Sequence, residues 1–149
     1  MASKVKIKIK DLVELREQLD CIYESKSQIQ LAQWALNLAK HILELVNYEY
    51  KTDTVIQDGF ATNEKWQIGE ARMHDVRQAG FKVHKLARES TDIITQNALR
   101  VVGQAIGTGH MREHAMVASD YAVKVINLKF AEDMEAVKKE REWQIRTIK

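Results

Sequence analysis

The stretch Gln28-Ile-Gln-Leu-Ala-Gln-Trp-Ala-Leu-Asn-Leu-Ala-Lys-His-Ile-Leu-Glu-Leu-Val46 decides the fold. Its polar residues fall at Gln30, Gln33, Asn37, Lys40 and Glu44, and Asn47 continues the series. Steps of three and four place them on one narrow stripe of a helix. Nearly every other position is apolar: Leu31, Ala32, Trp34, Ala35, Leu36, Leu38, Ala39, Ile42, Leu43, Leu45 and Val46. So wide an apolar face needs several neighbours to cover it. The stretch therefore predicts a central helix. Ser27 with Gln30 three residues later has the form of a capping box, which satisfies amide donors at a helix start.

The same periodicity extends outward in both directions. Leu12, Leu15, Leu19 and Ile22 follow 3-4-3 spacing, with Asp11 and Glu14 as a capping box at the start. A loop is expected over 47–53, then a helix from Thr54 to Gln67, with Gly69 as a joint. Further helices are expected over 70–89, through Ile94, Ala98, Val101, Val102, Ala105 and Ile106, and from Met111 to Phe130. Ser90, Thr91 and Asp92 can end one helix and cap the next. The last helix, over 131–147, is mostly charged and reads as a surface helix. The expectation is one all-α domain over 1–149, a bundle of six or seven mostly antiparallel helices.

Lys4-Val-Lys-Ile-Lys-Ile-Lys10 has the period of a strand instead. A lone strand makes no sheet. Residues 1–10 are read as an extended basic arm on the body, with pairing to another chain as the sharper reading.

Composition agrees. The 149 residues contain no proline, six glycines and one cysteine. An average chain carries about 5% proline. Without it, long helices run unkinked and turn-rich β architectures are disfavoured. A hydrophobic fraction of 45% excludes disorder of the whole chain. A net charge of +2 is too balanced to imply nucleic acid, for which only the four lysines of the arm speak. The lone Cys21 excludes an intrachain disulfide framework and suits a reducing compartment. No apolar run reaches the ~20 residues of a membrane span. The expected location is the cytoplasm. Homodimerisation is compatible with the arm and the broad apolar faces.

Three histidines draw attention as chemistry. His110 and His114 stand at i, i+4, and His84 is followed by Arg88 and Glu89. His84, His110, His114 and Glu89 could in principle hold a divalent transition metal and support a small hydrolytic protein. His110-Met-Arg-Glu-His114 matches the H-x-x-E-H of inverted zinc peptidases, with Glu113 to activate water. Gly107 and Gly109 argue against it, since they put His110 at a helix start. The competing reading is a hydrogen-bonded polar seam between helices, because buried imidazole and guanidinium groups require partners. Elsewhere there is no nucleophile elbow, P-loop or dinucleotide fingerprint. Trp66 and Trp143 are candidate interface anchors.

Several runs in order resemble a bacterial family of immunity proteins from polymorphic toxin systems. They are Leu31-Ala-Gln-Trp-Ala35, Trp66-Gln-Ile-Gly69, Glu70-Ala-Arg72 and His84-Lys-Leu-Ala-Arg88-Glu89. Gly103-Gln-Ala105, His110, His114-Ala115, Tyr121-Ala-Val-Lys and Lys139-Glu-Arg-Glu-Trp143-Gln continue the series. The resemblance covers about residues 27–146 and departs from the family at Gly107 and Gly109, where alanines are usual. It implies an all-helical, cofactor-free protein that binds and neutralises a cognate protein toxin. The implied binding residues are His84, Arg88, Glu89, His110, His114 and Tyr121, with Trp66 and Arg72.

Overall fold

The central helix begins where its cap predicts. In the computed structural model, which describes residues 3–149, Ser27 Oγ accepts the Gln30 N–H at 3.1 Å. Gln30 Oε1 in turn accepts the Ser27 N–H at 2.9 Å. The helix that follows, α2 (Gln28–Leu45), buries Leu31, Trp34, Leu38 and Ile42 and exposes Gln30, Gln33, Asn37 and Glu44. It ends at Asn47, whose φ of 57° is one that asparagine tolerates better than most residues.

Around it stand α1 (Val13–Glu24), α3 (Thr54–Gln67), α4 (Met73–Glu89), α5 (Ile93–Ile106), α6 (His114–Lys129) and α7 (Met134–Ile148). A short 3₁₀ turn, Gly107–Gly109, separates α5 from α6. There is no strand among the described residues, so the all-α expectation holds with seven α-helices. Asp53, Asp92 and Asp133 cap α3, α5 and α7 through their carboxylates. Consecutive helices α3 to α6 pack as neighbours, and α2 lies under α5 and α6. The first helix packs against α7, so the two ends of the chain close the bundle together. None of these helices is long and apolar enough to cross a membrane.

Several expectations are corrected. Asp11 does not cap α1, which starts one residue beyond its N-cap Leu12 without a side-chain cap. Its carboxylate instead faces Arg141 Nη2 at 2.6 Å. Nor is α7 a surface helix throughout, since the charged Glu140 and Arg141 are buried. Gly109 lies in the 3₁₀ turn, without a left-handed φ. It is needed for space: a Cβ there would fall 2.8 Å from Val76 Cγ1 and 3.1 Å from Trp66 Cδ2. The turn into α7 is made by Ala131 and Glu132, at φ 50° and 61°.

The first two residues of the arm lie outside the described residues. From Ser3 to Lys10 the chain has no regular hydrogen-bonded element and runs over α1 and α6. The Lys10 N–H donates to Asn127 Oδ1 at 2.8 Å, and Asn127 Nδ2 donates back to the Lys10 carbonyl at 3.0 Å. One side-chain amide thus supplies what a neighbouring strand would. Ile9 packs against Val123, Ile126 and Val137. At the arm's other end the Ser3 N–H and hydroxyl both bond to Asp20.

Candidate functional site

Two histidines from different helices lean onto α5, and α5 receives both in the same way. His84, on α4, takes a 2.9 Å hydrogen bond on Nδ1 from Arg100 Nη1. Its ring covers Gly103, where a Cβ would fall 2.5 Å from Cε1 and 2.7 Å from Nε2. His114, the first residue of α6, holds Gln104 Oε1 with Nδ1 at 2.6 Å. Its ring covers Gly107, where a Cβ would fall 3.2 Å from Cδ2. Each imidazole is thus bound by the side chain three residues before the glycine that seats it. Arg100 and Gln104 share one row of α5, and Gly103 and Gly107 share the next. The cost of two glycines beside a helix end, about 1 kcal/mol each in a helix interior, is the cost of those seats.

The arginine contact also fixes the tautomer of neutral His84. A guanidinium has no acceptor, so Arg100 must donate and His84 Nδ1 must accept. The proton of neutral His84 is then on Nε2. Gln104, an amide with a donor at one end and an acceptor at the other, can serve either tautomer of His114.

Both rings resist charging. Burial first, then the charges of Arg100, His114 and Arg88, lower the His84 pKa to about 4. Burial first, then His110 and Lys6, lower that of His114, with Glu113 opposing. In an unfolded chain such imidazoles take a proton near 6.5. Between that value and about 4 the unfolded state binds protons that the folded state refuses, so acidification favours unfolding. Stability is therefore expected to fall as pH drops through this window. Urea midpoints across it should fall less steeply in His84→Gln than in the parent; equal slopes would place the titration elsewhere.

The structure gathers part of the expected set. His110 joins His114, their ring centroids 5.8 Å apart, and Arg88 lies near enough for its charge to act on His84. The other residues lie apart. Arg72 is at the opposite end of α4, exposed and paired with Asp75 at 3.3 Å. Glu89 is exposed and 3.9 Å from Lys85. Tyr121 packs, half-buried, against the main core, and Trp66 packs there too. His110 precedes α6, so it and His114 do not share a helix face as the peptidase pattern requires. Among the described residues no three His, Cys, Asp or Glu side chains are placed to hold a metal ion. The proposed quartet of His84, His110, His114 and Glu89 therefore does not assemble as a ligand set: Glu89 turns to solvent, and Arg100 occupies one nitrogen of His84.

Sequence reasoning missed a second polar group. His41, from the C-terminal half of α2, holds buried Glu140 Oε1 with Nε2 at 2.7 Å. Its ring stacks on Trp143, centroids 3.7 Å apart and planes within 8°. These residues, with Leu45, Ile126 and Phe130, line a groove of about 550 Å³ between α2, α6 and α7. The sole signal for it in the sequence was Trp143 in an otherwise charged helix, because His41 and Glu140 lie 99 positions apart.

A family model described as Imm-5 like putative immunity protein matches residues 22–149. No curated protein and no solved structure matches the chain.

Proposed function

The chain belongs to the family of Imm-5 like putative immunity proteins, and on that basis we propose a non-catalytic role: it binds a cognate bacterial toxin in the cytoplasm and neutralises it by occupying its surface. The family match carries this reading. The His84–His114 face supports it, because its side chains are fixed in advance by glycine seats and hydrogen bonds. A surface ordered before binding loses less conformational entropy on docking. Its imidazoles are held by a guanidinium and an amide, without a hydroxyl or thiol nucleophile bonded to either.

Co-expression with the toxin encoded beside it tests the proposal. The expected result is restored growth and a complex that survives gel filtration. Unrelieved toxicity with no complex would overturn it.

A further inference from the structure

The arginines of this chain meet different fates. Arg16 and Arg141 are buried and reach carboxylates. Arg112 is half-buried and donates to the carbonyls of Tyr23 and Lys26 at 2.9 and 2.8 Å. Arg100 is also half-buried, yet its protein partner is an imidazole nitrogen. A guanidinium carries five N–H donors. One of Arg100's is spent on His84, and the others meet no oxygen acceptor among the described residues. Arg88, one turn beyond His84 on α4, has no ion-pair partner there either. The charges acting on His84 are those of Arg100, His114 and Arg88; Lys6 and His110 bear on His114 against one acid, Glu113, which is 3.9 Å from Lys6, and Glu89, next to Arg88, is 3.9 Å from Lys85.

The remaining Arg100 donors are open to solvent, and a guanidinium with free donors can take an oxyanion in two-point fashion. The bond to His84 fixes where Arg100 points, and the Gly103 seat fixes His84. We propose that Arg100 and Arg88, beside the seated histidines, form a receptor for carboxylates, and that the toxin docks here through an acidic segment of Asp and Glu side chains. This rests on the reading that the chain binds a protein toxin. It adds the charge of the surface that the toxin presents.

The test needs no toxin. Protein labelled with ¹⁵N at histidine is titrated with a hexaglutamate peptide and, separately, with inorganic phosphate. The expected result is a saturable shift of the His84 and His114 ring signals with hexaglutamate. Arg100→Gln, on the surface of α5, should weaken that binding about tenfold or more, while Arg72→Gln at the far end of α4 should leave it unchanged. Circular dichroism of both variants confirms that they are folded. Absence of a saturable shift, equal affinity in folded Arg100→Gln, or phosphate shifting the same signals at lower concentration than the peptide would each overturn the acidic-segment receptor. Rescue of growth by co-expression would survive that failure. Conversely, failed rescue with intact hexaglutamate binding would remove the toxin and leave the carboxylate site.

Discussion

Replacing Arg141 by alanine is expected to cost about 3–5 kcal/mol of stability, the range found when one partner of a buried ion pair is removed. Arg141 is wholly buried, and all five of its N–H groups are engaged. Nε and Nη2 reach Asp11 at 3.0 and 2.6 Å, and Nη2 also reaches Asp120 at 2.8 Å. Nη1 reaches Gln144 Oε1 at 2.8 Å and Ser119 Oγ at 3.2 Å. Asp120 would still have Arg16, at 3.0 Å. Asp11 would have no cation left among these contacts. The penalty should therefore come mainly from an uncompensated carboxylate and less from lost volume. Adding Asp11→Asn to Arg141→Ala should recover part of the loss, so the two changes should be non-additive. Urea unfolding followed by circular dichroism measures both. A loss under about 0.5 kcal/mol, the usual limit for a surface change, would mean that the network does not hold α7 to α1 and α6.

Trp34→Ala is expected to cost about 3–5 kcal/mol by cavity formation. The indole is 4% exposed and sits on the face of α2 that packs into the core. Its Nε1 donates to Thr147 Oγ1 at 3.0 Å, so it also ties the central helix to the last turn of α7. Trp34→Phe keeps most of the packing and should lose about 1 kcal/mol, the worth of an ordinary hydrogen bond. Either alanine variant removes a large share of the ~5–15 kcal/mol that holds a domain of this size together. Equal losses for Phe and Ala would show that the hydrogen bond, not the volume, is what α2 relies on.

The fold was legible because helix periodicity is local. The stripe of Gln30, Gln33, Asn37 and Glu44 fixed the face of α2, and Ser27 with Gln30 fixed its start, within a few residues of chain. The cap at Asp92 was legible for the same reason. Misreadings fell where a polar residue found a distant partner. Asp11 looked like a cap, and Glu140 and Arg141 looked like a solvated face. Their partners stand elsewhere: Arg141 is 130 positions from Asp11 and 21 from Asp120. Of the candidate site, His84, Arg88, His110 and His114 were found and brought near one another. Arg100 and Gln104, which hold the rings, were not singled out, because nothing in an amphipathic helix pattern distinguishes a side chain that grips an imidazole from one that meets water.

By itself, then, the sequence determined an all-helical chain without proline, the helices to within a few residues and the face that α2 buries, since these follow from backbone hydrogen bonding and side-chain spacing over a turn or two. Tertiary structure alone decided which charges are buried, what the alternating arm pairs with and why glycines stand at 103 and 107. A charge can leave water only when an opposite charge or a full set of acceptors meets it, and a glycine gives room only to the group that crosses it. Both conditions are set by residues far apart in the chain, so neither is written in local order.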